Sequence, residues 1–87
     1  MNIEIKKGVI QMKLKSFNKI NTSTKVSYLV YDKRGNNVDS FKVDYCVEYA
    51  GLADAIRKRE SYSNAKVLWC DPSCIEIGRL MVGLEVD

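Results

Sequence analysis

The stretch that decides the fold covers residues 25–45 and reads KVSYLVYDKRGNNVDSFKVDY. Residues 25–31 are rich in β-branched and aromatic side chains, which favours a strand. Residues 32–37 are a strong turn signal, because glycine and asparagine adopt positive φ at little cost. Residues 38–45 then return as a second strand, which completes a predicted β-hairpin. The apolar residues on one face of the returning strand are Phe41, Val43 and Tyr45.

Upstream of the hairpin, residues 10–15 alternate strictly between apolar and polar side chains. Alternation with a period of two predicts a half-buried strand. Ile3 and Ile5 alternate in the opposite phase, so we expect a tight hairpin or a bulge at Lys7 and Gly8. Residues 18–24 are polar and are expected to form a loop.

Downstream of the hairpin, the sequence predicts one helix over residues 47–60. Its apolar residues recur at helical spacing and make one stripe. Residues 66–70 then read as a short buried strand, with Trp69 in the core. The residues of the helical stripe are Tyr49, Leu52, Ala53 and Ile56.

Residues 72–87 fit two patterns. Pro72 suits the first turn of a helix, and the residues that follow include an apolar helical stripe. The alternative is a strand over residues 74–77, a turn at Gly78 and a second strand ending at Val86. The β-branched content favours strands. The stripe of the helical alternative is Cys74, Ile77, Leu80, Met81 and Leu84.

These elements together predict an α+β fold in a single domain of residues 1–87. We expect a small antiparallel sheet of roughly four to six strands with one main α-helix packed on a face. A chain of 87 residues is long enough for one domain and for a modest core.

The chain has no histidine. That absence excludes Ser-His-Asp chemistry, Cys-His dyads and mixed Cys/His zinc sites. An odd number of cysteines without a signal peptide argues against a disulfide framework and indicates a cytoplasmic protein. Cys70 and Cys74 have a spacing unlike that of standard redox or zinc sites, so they and Cys46 are interpreted as small buried apolar residues. No metal, cofactor or catalytic residue is predicted, although a site at Cys70 and Cys74 remains an alternative.

Charge is segregated along the chain. Residues 1–34 carry eight Lys or Arg and two Asp or Glu, whereas residues 35–87 carry six and nine. A basic sheet face with nearby tyrosines could contact a protein, or could track phosphates and stack bases. The residues predicted for this face are Lys13, Lys15, Lys25, Lys33, Arg34, Tyr28 and Tyr31. The secondary candidates are Arg57, Lys58, Arg59 and Tyr62.

The sequence therefore predicts a small non-enzymatic protein-binding regulator or inhibitor. Residues coded by AT-rich codons, such as Lys, Asn and Ile, are abundant, which favours a phage or mobile-element gene acting on a host or defence protein in the host cytoplasm. The alternative is a nucleic-acid-binding module that uses the lysine-rich face. No membrane association is expected, and exposed strand edges would permit a homodimer.

Overall fold

The computed structural model describes residues 3–4, 12–45 and 48–87. This part of the chain forms one five-stranded sheet in the order β1-β4-β5-β2-β3. The α+β class is confirmed, and the sheet carries two helices, α1 and α2. The elements in chain order are β1 (Ile3–Glu4), α1 (Leu14–Ile20), β2 (Lys25–Tyr31), β3 (Asn37–Asp44), α2 (Leu52–Ser61), β4 (Lys66–Pro72) and β5 (Arg79–Glu85).

The predicted hairpin is confirmed as strands β2 and β3, which pair antiparallel with Tyr28 opposite Phe41. Its turn is held by the Asp32 carboxylate, which accepts the backbone N–H of Arg34 at 2.9 Å. Gly35 has φ +88°, a conformation that glycine adopts without the steric cost of a Cβ. Local turn chemistry was therefore enough to specify this hairpin.

The sheet is mixed, which corrects the prediction of an antiparallel one. Strand β5 pairs antiparallel with β4 and parallel with β2. The reason lies in the long connection through α2, which carries the chain from the β3 edge across the sheet to β4. The β4–β5 hairpin then inserts β5 beside β2 in the same direction.

Both helices pack on the same face of the sheet and contribute side chains to one core. Strands β1 and β2 run in one direction, and β3 and β4 run in the opposite one. The connection from β1 to β2 runs through α1, and the connection from β3 to β4 runs through α2. These two connections cross the sheet in opposite directions, so right-handed connections place both helices on the same side of the sheet. The fully buried core residues include Leu14, Phe17, Val26, Tyr28, Val30, Val43, Val67, Val82 and Leu84.

Helix α1 occupies part of the region predicted as a strand over residues 10–15. Leu14 and Phe17 are both buried, at 0% and 1% exposure. Residues three apart share a face of a helix but point to opposite faces of a strand, so burying both requires helical geometry. The strand interpretation holds only near Met12, whose carbonyl accepts the N–H of Val67 at 2.8 Å. The turn predicted at residues 7–8 lies outside the described residues.

Helix α2 begins at Leu52, later than predicted. Leu52 and Ile56 of the predicted stripe pack against the core, and Ala55 joins them. Ala53 is exposed, and Tyr49 precedes the helix. The stripe was therefore predicted on the correct helix but with a shifted phase.

The tail forms strands rather than a helix, as favoured from its β-branched content. Residues 74–77, however, belong to the connection between β4 and β5 and not to a strand. Trp69 is half-buried, outside the buried core. Its indole lies against Gly83 so closely that a Cβ at that position would overlap the ring. Glycine is required there because the Trp69 ring lies directly against the Gly83 backbone.

Candidate functional site

The connection between β4 and β5, residues 73–78, is named the 73–78 loop. It presents two isoleucines to solvent, Ile75 at 94% and Ile77 at 96% exposure. Single exposed apolar residues are common on protein surfaces, but two large ones at almost full exposure on one short loop form an apolar projection. Such a projection is typical of a contact surface.

The 73–78 loop is held in one conformation by its own hydrogen bonds. The Ser73 hydroxyl oxygen accepts the backbone N–H groups of Ile75 at 3.2 Å and Glu76 at 3.1 Å. The Ser73 N–H donates to the carbonyl of Arg79 at 2.8 Å, which closes the base of the loop. Gly78 adopts φ +82°, a region that favours glycine. The isoleucines are therefore displayed on a preorganised turn.

Arg79 anchors the same loop to the sheet. Its side chain is only 5% exposed, and Nη2 lies 2.7 Å from Asp44 Oδ1 while Nε lies 3.0 Å from Glu76 Oε2. The Nη1 group also donates to the Ser27 hydroxyl at 3.3 Å. Burial disfavours the charged guanidinium, but the hydrogen bonds to Asp44 and Glu76 outweigh it and raise its pKa. A buried arginine without these partners would be strongly destabilising.

A groove with apolar and polar walls lies at the same end of the molecule, between α1 and the sheet. Its volume is about 230 Å³. Ile20, at the end of α1, lines it and is 59% exposed. We name this cavity the α1 groove. Its lining residues are Phe17, Ile20, Asn21, Thr22, Ser23, Cys70 and Leu80.

The cysteines have different environments. Cys70 is buried, and burial raises the pKa of its thiol, so the thiol remains protonated near neutral pH. Cys74 is exposed on the 73–78 loop, which corrects its interpretation as a buried residue. Cys46 lies outside the described residues. In the described ranges, no cluster of three or more His, Cys, Asp or Glu residues could hold a metal ion.

The fold assembles the predicted basic face only in part. Lys13 and Lys15 lie at the start of α1, so they do not share a strand face as predicted. Lys25 begins β2, whereas Lys33 and Arg34 lie in the turn beyond its other end. Lys13 bridges Lys66, whose partner Glu85 is also the register partner of Tyr31, so the start of α1 lies at the same end of the sheet as the turn with Lys33 and Arg34. Lys25 lies at the other end of β2.

The two tyrosines predicted for that face also differ from expectation. Tyr28 is 1% exposed, and its ring stacks on Phe41 with 4.8 Å between centroids. Burial raises the pKa of Tyr28 to about 12. Tyr28 is therefore a core residue, a correction that follows from its register beside Val26 and Val30 on the core face. Tyr31 is half-buried at the end of β2.

Most of the secondary candidates take part in contacts within the molecule. Lys58 binds Asp39 at 2.8 Å, and the Tyr62 hydroxyl donates to the same carboxylate at 2.6 Å. Tyr62 also stacks on Phe41 at 5.8 Å, which completes a row of three rings. We name Tyr28, Phe41 and Tyr62 the stacked ring cluster. Its contact between Phe41 and Tyr62 packs the end of α2 against β3.

The remaining cations of α2 are also paired. Arg57 forms an ion pair with Asp54 one turn earlier in the helix. Arg59 contacts Glu60 at 3.0 Å and also donates to the Tyr45 hydroxyl. Surface pairs of this kind contribute little stability, but they reduce the free positive charge that α2 can offer to a ligand.

Sequence reasoning missed Ile75 and Ile77 as contact residues, because it placed both in a strand or, in the alternative, placed Ile77 in the apolar stripe of a helix. One local signal was available. Ser73 and Gly78, both turn-forming residues, enclose the pair. A segment bounded in this way is short for a buried strand, so its apolar residues would lie at a loop tip.

Comparisons with known proteins give no relative for this chain. No family model, curated protein or solved structure matches it at a significant level. Within the described residues, no helix is both long enough and apolar enough to cross a membrane.

Proposed function

We propose that the chain is a small non-enzymatic protein-binding regulator or inhibitor that docks on its target through the 73–78 loop. The observation that carries the proposal is the near-complete exposure of Ile75 and Ile77 on a hydrogen-bonded turn. Because residues coded by AT-rich codons are abundant, we further propose that the gene belongs to a phage or mobile element and that the target is a host or defence protein.

The energetics favour a protein target with an apolar pocket. Burying one isoleucine side chain contributes roughly 1.5–3 kcal/mol, so two supply a substantial part of a specific affinity. The loop bonds at Ser73 and the anchor at Arg79 lower the conformational entropy lost on binding. The two isoleucines would act as apolar anchors that fill pockets in the target.

Support for the non-enzymatic part comes from the ionisable groups. Acid–base catalysis needs a group whose pKa lies near the working pH. Among the described residues, the resolved shifts move away from neutrality, as in Asp39, whose pKa is lowered by its bonds to Lys58 and Tyr62, and in Tyr62, whose pKa is raised to about 12 by its bond to Asp39. These groups serve packing and anchoring better than proton transfer.

The nucleic-acid alternative has weaker support. Phosphate binding needs several cations on one surface. Lys25 lies at the opposite end of β2 from Lys33 and Arg34, Lys33 is paired with Asp87 at 2.9 Å, and Tyr28 is buried. A gel shift at low salt that retards nucleic acid, with affinity falling steeply as salt rises, would reverse this preference.

The decisive experiment compares capture of a target by three versions of the tagged chain. These are the natural sequence, the double variant Ile75→Ser/Ile77→Ser and the control Val38→Ser. Val38 is a matched control because it is also apolar and is 54% exposed on β3. We expect the double variant to lose the target by at least about 10-fold in affinity, since 1.4 kcal/mol corresponds to that factor, while the control retains it.

A photo-crosslinking amino acid at position 75 and another at position 38 give an independent readout. Position 75 should crosslink to the captured target and position 38 should not. Equal capture by all three versions, or crosslinking confined to position 38, would contradict docking through the loop.

A further inference from the structure

The 73–78 loop and the α1 groove are neighbours on one surface. Leu80 lines the groove, and its register partner in β4 is Pro72, the residue directly before the loop. The molecule therefore presents an apolar projection beside a recess that is partly lined by apolar side chains. The two isoleucines do not fill that recess in their own chain, since both remain more than nine-tenths exposed.

The size of the groove suits an isoleucine side chain. An apolar cavity of about 150 Å³ accepts benzene, which has more carbon atoms than an isoleucine side chain. The α1 groove measures about 230 Å³ and has Phe17 and Leu80 among its walls. Ile20 lies at the same groove and is 59% exposed, so it would also be covered by an inserted loop.

The charges of the two elements are complementary. Residues 70–78 include Asp71 and Glu76 and contain no Lys or Arg. On the groove side, the exposed Lys19 is adjacent to Ile20, and Lys25 follows the groove residues 21–23, whereas Lys13 and Lys15 lie at the other end of α1. Glu76 is already paired with Arg79 of its own chain, so Asp71 is the carboxylate that would meet these ammonium groups when two copies approach each other.

A symmetric dimer requires a patch that is complementary to itself. A projection next to a recess of matching size and opposite charge meets that condition. We propose that the 73–78 loop of one copy inserts Ile75 or Ile77 into the α1 groove of a second copy, forming a two-fold symmetric homodimer. The inference rests on the proposed function of this loop as a protein-binding element, and it adds that self-association covers the loop and competes with the target.

Sedimentation velocity over a wide concentration range tests the dimer. Four purified chains are compared: the natural sequence, Ile75→Ser/Ile77→Ser, Thr22→Trp and the control Val38→Ser. Thr22 is an exposed residue of the groove, so tryptophan there fills the recess without entering the core. We expect the natural sequence and the control to form dimers, and both other variants to associate about 100-fold more weakly.

Mixing the two defective variants is the sharper measurement. The loop variant keeps an intact groove, and Thr22→Trp keeps intact isoleucines, so one of the two contacts can form between them. We expect the mixture to form heterodimers at concentrations at which neither variant dimerises alone. Circular dichroism and thermal melts confirm that each variant is folded before the comparison.

Several outcomes overturn the dimer. These are a natural sequence that stays monomeric, dimers that persist in Ile75→Ser/Ile77→Ser, and a mixture that gives no heterodimer. If the chain is monomeric and the loop variant still loses its target, the dimer fails while the proposed function stands. If the chain is monomeric and sediments with anionic vesicles through the isoleucines, the loop binds a lipid surface, and both the dimer and the proposed protein target are overturned.

Discussion

The stacked ring cluster and the 73–78 loop use large apolar side chains in opposite ways. In the ring cluster, Phe41 lies between two rings and under the Lys58 ammonium, which is 5.5 Å from its centroid. In the loop, Ile75 and Ile77 contact almost nothing in their own chain, and only the polar groups of the turn are paired. The ring cluster stabilises the fold, whereas the loop is stabilised by the fold.

This difference separates stability from binding in the molecule. Residues of the ring cluster should change the free energy of unfolding when they are mutated, and residues of the loop should change affinity. The contrast can be tested directly, because each region offers substitutions that remove apolar surface without altering the other.

The largest effect on stability is expected for Phe41→Ala. The change removes the central ring from between Tyr28 and Tyr62 and leaves a cavity between α2 and β3. We expect a loss of about 2–4 kcal/mol in the free energy of unfolding, measured by urea denaturation. Tyr62→Phe is the control, since it keeps the ring stack and loses only the hydroxyl. If both variants were equally stable, the ring stack would contribute little to the free energy of unfolding.

Gly83→Ala is expected to have the next largest effect. A Cβ at this position would overlap the Trp69 indole, so either the ring or the strand must move. We expect a loss of about 1–3 kcal/mol, as for other overpacked sites. Combining the change with Trp69→Ala should relieve the overlap, so the double variant should be more stable than the sum of the single losses implies. Additive losses would mean that overlap with the Trp69 ring is not what destabilises Gly83→Ala.

Asp39→Asn should cost about 1 kcal/mol at neutral pH, because it removes a charge-assisted hydrogen bond and ion pair with Lys58 that solvent partly screens. Hydrogen bonds from Lys58 and Tyr62 lower the pKa of the Asp39 carboxyl in the folded state. Its contribution is therefore fully present above the unfolded-state pKa of about 3.9 and is lost as pH falls through the lower folded-state pKa.

A pH series of thermal melts tests the sign of this effect. The natural sequence should exceed Asp39→Asn in stability at neutral pH, and the gap should close under acid conditions, where the protonated carboxyl resembles an amide. A gap that widened in acid would mean that the bonds to Lys58 and Tyr62 are not what holds the carboxylate charged.

The smallest effect on stability is expected for Ile75→Ser/Ile77→Ser. Both side chains are almost fully exposed, so the free energy of unfolding should change by no more than about 0.5 kcal/mol. The same variant is expected to show the largest loss of binding. A marked fall in its melting temperature would mean that the isoleucines pack on the protein in solution and are not free for a partner.

Sequence reasoning succeeded where the signals were local. The turn at residues 32–37 and the one at Gly78 depend on backbone conformations that few residue types adopt, so they could be predicted. The first strand flanking this turn followed from its β-branched and aromatic content, and the second from the apolar residues on one of its faces. The helix that became α2 was predicted from its apolar stripe, although its start and its phase were shifted.

The candidate site was harder to predict because exposure is a property of the whole fold. Tyr28 and Tyr31 have similar local sequence environments, yet the first is buried and the second is half-exposed. Alternation along β2 places them on different faces, but only the helices packed on one of those faces decide which ring is covered. Lys13 and Lys25 were likewise grouped by charge and are separated by α1.

The amino-acid sequence by itself determined the α+β class, the β2–β3 hairpin and the lack of histidine chemistry. Tertiary structure decided that β5 inserts parallel to β2, that residues 14–20 are helical and that two isoleucines stay in solvent. The physical reason is the range of the interactions. Turn propensity and side-chain alternation act over a few residues, whereas strand order and burial depend on contacts such as that of Arg79 with Asp44, which join residues far apart in the chain.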